Sequence, residues 1–283
     1  MRFRVRHATT YRYSRPVTLS PHCVRLHPRH DGFQKVERYQ LDVFPVPAGR
    51  ADGPGLTGFV ETHLWFKEPT DVLTLVSSFE ALTSEVNPFE FVVTEPGVLR
   101  LPAVYGSGRG LLAPYRRLRR PAAPVTALSM RLARESDGQT LPFLAAACRL
   151  LGDYTPEVRE EGPPLPPVET LRAEAGSCRD LTMLFIDMCR VQNLAARFVS
   201  GYFRGQDPDA RRYLHAWAEV YLPGAGWRGY DPSLGLATAA GHVAVAASDD
   251  PMDTLPVSGG FGAEEGAEAR MEWDLNIRVT PDL

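Results

Sequence analysis

Four cysteines, Cys23, Cys148, Cys178 and Cys189, carry the greatest capacity for covalent chemistry in this chain of 283 residues. They form no CxxC pair and have no histidine at zinc-ligand spacing, so no metal site, redox pair or cofactor is expected. A reduced, buried thiol is the ordinary role for each. Cys178 differs because of its neighbours. In AGSCRDLTMLFIDMCRVQN (Ala175 to Asn193), Gly176 and Ser177 are helix-start residues, with Ser177 a candidate N-cap. Cys178, Leu181, Thr182, Phe185 and Cys189 then follow one helical stripe, while Arg179, Asp180, Asp187 and Arg190 lie toward the other side. A thiol in the first turn sits at the positive end of the helix dipole, beside unpaired N–H groups. That setting favours the nucleophilic thiolate and offers donors to an oxyanion. Cys189, three turns further on, and Cys148, in the apolar LPFLAAACRLLG, are read as core.

Downstream, RRYLHAWAEVYL (Arg211 to Leu222) alternates as a strand. Leu214, Ala216, Ala218, Val220 and Leu222 share one face, and His215, Trp217, Glu219 and Tyr221 share the other. That second face predicts the wall of a polar cleft. After the turn LPGAGWRG, Asp231 precedes Pro232 at the end of the next strand. In an antiparallel hairpin the two strand ends meet, so a carboxylate could fix the tautomer of His215 and stabilise its protonated form.

The elements that must position these groups divide in two. From Met1 to about Gly110 the chain shows short runs rich in Val, Phe, Tyr and Thr, bounded by Pro, Gly and Asp, which predict an antiparallel sandwich or strongly twisted sheet. His7, His22, His27, His30 and His63 are scattered along it and are assigned packing or surface roles. APYRRLRRPAAP (Ala113 to Pro124) reads as a linker whose arginines form a solvated face. Two helices follow, VTALSMRLARES and LPFLAAACRLLG, and then a Pro-rich extended stretch, EEGPPLPPVE. The expected domains are therefore 1–112, an N-terminal β-sandwich-like domain; 113–124, a linker; and 125–283, an α+β core closed by a C-terminal β segment.

Composition narrows the partners. With 31 basic and 34 acidic residues the net charge is -3, which gives no electrostatic case for nucleic acid or an anionic membrane. Hydrophobic residues at 44% and charged residues at 23% are ordinary for a globular protein. The N-terminus alternates like a strand and lacks the apolar region of a signal peptide, and no run approaches a membrane span. A cytoplasmic location is the resulting expectation.

AGSCRDLTMLFIDMCRVQNLAARFVSGYF followed by LHAWAEVYLPGAGWRGYDPS resembles the core of the bacterial transglutaminase-like family, a branch of the papain-like cysteine enzymes. Cys178, His215 and Asp231 fall on that family's motif positions: Cys at a helix start, His on a later strand, Asp on the next. RHATTYRYSRPVTLSPHCVRLHPR (Arg6 to Arg29) resembles the β domain that precedes this core. His242 to Gly260 resembles the segment that follows it, with Ser248, Asp249 and Pro251 in place of the family's glycine, arginine and aromatic. The resemblance implies an α+β core in which the cysteine helix packs on an antiparallel sheet. It implies a thioester formed on Cys178, with His215 as base and Asp231 orienting it. Asp180 matches a family position and is expected to set the helix start by a local hydrogen bond; Ser177, Asp180, Trp217 and Tyr230 are candidate substrate-site lining, with core packing an equal alternative for Trp217 and Tyr230. No calcium-loop pattern is visible, so metal-independent hydrolysis of a peptide or protein amide is expected. Acyl transfer from glutamine to a primary amine, as in a transglutaminase proper, is the alternative within the class. A catalytically silent binding or assembly module is the alternative outside it.

Overall fold

The computed structural model describes residues 1–84, 87–106, 108–118, 122–160, 162–205, 211–262 and 266–281. Arg119, Arg120 and Pro121 of the arginine-rich run lie outside them, as does Glu161 of the Pro-rich stretch.

The N-terminal half is antiparallel β, as its alternation requires. Strands β1 (Arg2–Leu19), β2 (His22–Val24), β3 (Gln34–Phe44), β4 (Gly49–Pro54), β5 (Val60–Trp65) and β6 (Thr70–Thr83) build two sheets. One contains β1, β6 and β3 in that order; the other contains β2, β5 and β4. The inward positions of both, including Tyr13, Leu19, Leu26, Leu41, Leu64, Leu73 and Leu75, form one apolar core between them.

The second half is α+β. Helices α1 (Ala123–Glu135), α2 (Thr140–Gly152) and α3 (Pro167–Ala173) surround α4 (Cys178–Val191). Behind α4 stand β7 (Ala196–Phe203), β8 (His215–Leu222), β9 (Gly226–Asp231) and β10 (His242–Ser248), ordered β9-β8-β7-β10 and all antiparallel. Leu184, Phe185, Met188 and Cys189 of α4 join Ala216, Ala218, Val220 and Leu222 of β8 in the largest core. The predicted apolar face of β8 is therefore the face on the helix. The expected polar side of α4 is not solvated, however. Arg190 is only 7% exposed, and its guanidinium donates to the carbonyls of Tyr115, Ala196 and Asp249. Asp180 is fully buried. A helix with neighbours all round buries its charges only where each finds a partner.

Two departures from the sequence reading concern the seam between the halves. The C-terminal segment, grouped with the core by sequence, instead ends in β11 (Ala269–Thr280), which pairs antiparallel with β1 from Arg2↔Thr280 to Tyr13↔Ala269. The face of β8 bearing Trp217 and Glu219 is also no open cleft wall. Trp217 packs with Phe59, Val199, Ala244 and Ala247, so the N-terminal domain covers it. Glu219 accepts from Arg29 Nη1 at 2.7 Å and from Arg197 Nε at 2.8 Å and Nη2 at 2.6 Å. Gly201 makes this packing possible, since a Cβ there would lie 2.1 Å from the Val243 carbonyl and 2.6 Å from the Trp217 ring. The linker arginines are not uniformly solvated either, for Arg116 lies over the Tyr105 ring and donates to Asn193. Among the described residues, no helix is long and apolar enough to cross a membrane.

The seam ion cluster yields a stability prediction. Glu219→Ala strands the Arg197 guanidinium in the interior, which costs about 3–5 kcal/mol when a buried pair loses one member, read as a lowered urea midpoint. Burial opposes ionisation of Glu219, but Arg29 and Arg197 overcome it and hold its pKa below the ordinary value. Its contribution is therefore present above the usual carboxylate range and is lost as pH falls through the depressed pKa. An unchanged midpoint in Glu219→Ala near neutral pH would contradict the assignment.

Candidate active site

The start of α4 is fixed from beneath. Ser177 is extended (φ -76°, ψ 166°), and Asp180, three residues on, turns back to it. Asp180 Oδ2 accepts from the Ser177 N–H at 2.9 Å and from its hydroxyl at 2.6 Å. Its Oδ1 accepts from the Leu165 N–H at 2.7 Å and from Arg159. The reciprocal arrangement is a capping box, with two outside donors added. It ties the Pro-rich segment to the helix start and so fixes where the next residue, Cys178, projects. The expected local role of Asp180 is what the geometry shows; its expected role as lining is corrected, because the carboxylate is sealed beneath the helix.

The strands supply the partners by register. His215 opens β8 opposite Gly201, Asp231 closes β9 beside Leu236, and His242 opens β10 opposite Phe203. All three therefore come to the same end of the sheet, at the end of α4 that carries Cys178. His215 Nε2 lies 2.6 Å from Asp231 Oδ2. His215 also hydrogen-bonds the Cys178 sulfur, as does the Ala216 N–H. The thiol, imidazole and carboxylate named from sequence are thus brought together as one hydrogen-bonded row.

Asp231 is fully buried and saturated with donors. Besides His215, its Oδ2 meets His242 Nε2 at 3.0 Å, while Oδ1 accepts from the Ser233 N–H at 3.1 Å and hydroxyl at 2.7 Å. His242 is the residue that sequence reasoning passed over. It stands at the head of HVAVAAS, where a single polar residue opening an apolar strand was the available signal. Only the pairing of β10 with β7 brings it to Asp231. The remaining lining candidates are all packed against neighbours. Ser177 is buried against Asp180, and Trp217 is buried at 2% exposed, with its ring edge on His242. Tyr230 stacks on Phe185 and borders a separate cavity of about 370 Å³ lined by Cys148, Arg149 and Leu236, which Cys178 and His215 do not line. Bulky aromatics on these strands go into packing because both faces of the sheet are covered.

The electrostatics single out one thiol. Burial pushes the pKa of Cys23, Cys148 and Cys189 up. Burial also opposes ionisation of Cys178, but the hydrogen bond and charge of His215 and the Ala216 N–H outweigh it and bring this thiol below its usual value. His215 moves the opposite way: burial lowers it, yet the charge and hydrogen bond of Asp231, with help from Cys178, hold it well above an ordinary imidazole. Asp231 is kept far below the carboxylate range by the two histidines despite burial. A depressed thiol beside an elevated imidazole favours a thiolate–imidazolium pair at neutral pH. His215, Asp231 and His242 also place ligand-type atoms within 4.8 Å of one another. Their hydrogen bonds already account for that closeness, so no metal is needed to explain it.

Family comparisons agree with this architecture. Residues 3–81 match the bacterial transglutaminase-like N-terminal region, and residues 128–232 match the transglutaminase-like superfamily. An uncharacterised protein of Mycobacterium tuberculosis strain H37Rv is 28% identical over 273 residues, covering 91% of this chain and 87% of its own. An uncharacterised protein of Mycobacterium leprae is 26% identical over 297 residues, covering 99% and 98%. A crystal structure from Cytophaga hutchinsonii, described as a "putative cysteine protease", superposes with a TM-score of 0.74 at 19% identity, over 100% of this chain and 92% of that one. At that identity the likeness establishes the fold.

Two outcomes follow from the site. Iodoacetamide is expected to label Cys178 fastest of the four thiols, with a rate that stays high below the ordinary thiol pKa. His215→Ala removes the larger of the influences that depress the thiol, leaving the Ala216 N–H, and should slow labelling at neutral pH by about tenfold or more. Uniform labelling, or a rate that rises only near the ordinary thiol pKa, would contradict the pairing. Asp180→Ala should cost about 2 kcal/mol or more in a denaturant titration, through the lost cap and the unpaired buried donors.

Proposed function

We propose that this chain, whose residues 3–81 and 128–232 match the bacterial transglutaminase-like N-terminal region and the transglutaminase-like superfamily, is a transglutaminase-like cysteine enzyme that cleaves amide bonds through a thioester on Cys178. His215 acts as general base and acid, and Asp231 orients His215. The hydrogen-bonded row Cys178–His215–Asp231, joined to the one depressed thiol pKa among the four, carries this reading.

In the acylation half, the Cys178 thiolate adds to the amide carbonyl carbon. The C–S bond forms while the carbonyl π electrons move to oxygen. The developing oxyanion lies at the N-terminal end of α4, where the first-turn N–H groups and the helix dipole favour negative charge. Collapse breaks the C–N bond, and the imidazolium of His215 gives its proton to the leaving nitrogen. In the second half, neutral His215 takes a proton from the incoming nucleophile, which attacks the thioester carbonyl and expels the Cys178 thiolate. Water as nucleophile gives a carboxylic acid; a primary amine gives a new amide. Asp231 stays ionised throughout and holds the imidazole in the tautomer that faces sulfur. Hydrolysis of a peptide or protein amide in the cytoplasm is the reading we adopt, with amine transfer as the alternative for the same thioester.

A panel of peptide and amide substrates, offered with and without a primary amine to wild type and Cys178→Ala, tests this. Turnover should fall by about 10⁴-fold or to background in Cys178→Ala, and Asp231→Asn should lose roughly 10²–10⁴-fold. A product containing the amine would favour transfer over hydrolysis. Equal turnover by wild type and Cys178→Ala would overturn the proposal, and complete inactivity on a broad panel with an unreactive Cys178 would favour the silent-module alternative.

A further inference from the structure

The chemistry proposed above uses one of the two imidazoles on Asp231 and leaves the other without a role. His242 is 8% exposed, and its Nε2 lies 3.0 Å from the same carboxylate oxygen that His215 Nε2 meets at 2.6 Å. A carboxylate anion only accepts, so both contacts are attractive only when each Nε2 carries hydrogen. For His215 that is met by the imidazolium or by its Nε2–H tautomer. For His242 the surroundings narrow the choice to one.

Three charged or titratable groups face His242. Asp231 favours its cation, while His215 and Arg204 oppose it. Aromatic rings occupy two further sides, Phe203 with a centroid at 4.8 Å and Trp217 at 5.2 Å. Burial is the largest influence and leaves the pKa below that of a free imidazole. Burial thus favours the neutral ring, and the contact with the Asp231 carboxylate places its hydrogen on Nε2. Its Nδ1 has no hydrogen-bond partner among the described residues. This ring also borders a small cavity of about 40 Å³ at the domain seam, which Gln34, Thr83 and Thr238 line as well.

We propose that His242, held as its neutral Nε2–H tautomer, is a positioning residue of the active site. It donates to Asp231 Oδ2 and, with Ser233 on Oδ1, fixes the carboxylate so that its remaining lone pair meets His215. A neutral donor suits this task, because a second cation on Oδ2 would repel the His215 imidazolium and weaken its pairing with the Cys178 thiolate. The idea rests on the proposed roles of Cys178 and His215, but the placement of the His242 proton can be read without them.

The test has two arms. In wild-type protein labelled with ¹⁵N-histidine, NMR at neutral pH should show His242 protonated at Nε2 and bare at Nδ1. A protonated Nδ1, or a doubly protonated ring, overturns the proposal. The second arm compares His242→Phe, which keeps ring shape in an aromatic surround, with His242→Gln, whose amide nitrogen can reach the place of Nε2. Phe should slow iodoacetamide labelling of Cys178 by roughly 10- to 100-fold and lower kcat similarly on any substrate found, with KM within about twofold. Gln should restore both rates to within about fivefold of wild type. Wild-type rates in His242→Phe, or equal losses in Phe and Gln, would show a packing role only and overturn the proposal. Should the Phe variant fail to fold, the tautomer measurement and the Gln variant still decide it, since a Gln loss of tenfold or more overturns it. If wild-type Cys178 labels no faster than Cys148 and Cys189, the proposed catalytic role fails first, whatever proton His242 carries.

Discussion

A buried carboxylate must be surrounded by donors or give up its charge, and Asp231 sets that demand on the whole C-terminal domain. Its two oxygens take contacts from His215, His242 and both the N–H and hydroxyl of Ser233. Even its own carbonyl accepts from the Cys148 thiol at 3.3 Å. To gather these groups, one end of a four-strand antiparallel arrangement must present the first residue of β8, the last of β9 and the first of β10 together. The sheet order β9-β8-β7-β10 achieves this, with Phe203 of β7 filling the space between the two imidazoles.

The N-terminal domain takes part in that geometry through its grip on β10. Gln34 donates from its amide nitrogen to the Ala244 carbonyl at 3.0 Å and accepts from the Ala244 N–H at 2.9 Å. The Arg29 N–H also donates to the Ala244 carbonyl, and the Thr83 hydroxyl donates to the Ala240 carbonyl. These contacts bracket His242 on both sides along the chain. At the same seam, Phe3, Val5 and Phe79 share an apolar cluster with Tyr202, Val243 and Val245. Apolar burial supplies the adhesion and the paired amide of Gln34 supplies the register.

What the sequence disclosed followed the range of each physical signal. The helix start at Cys178, the alternation of β8 and the strand end at Asp231 are local patterns, and each was legible. So was the β character of the first half, where Pro and Gly bound runs of Val, Phe and Tyr. The polar face of β8 misled because Trp217 and Glu219 look the same whether they face water or a second domain. Only the cation of Arg29, 190 residues away along the chain, tells the two apart. The partners of Arg190 were not legible, because a helical stripe cannot reveal which other elements wrap the remainder of the helix. His242 escaped for the same reason, since its partner is fixed by strand pairing rather than by neighbours in sequence.

The pairing of β11 with β1 gives the chain a timetable. The first sheet is opened by β1 and closed along one edge by β11, with helices α1–α4 and strands β7–β10 lying between them in the chain. During synthesis β1 exposes an unpaired edge next to the apolar side chains Phe3 and Val5, a condition that invites misassembly until the partner strand arrives. Contacts this distant in sequence also form slowly, because a large loop must be ordered before they repay it. Completion of the first sheet is thereby deferred until β11 has been synthesised.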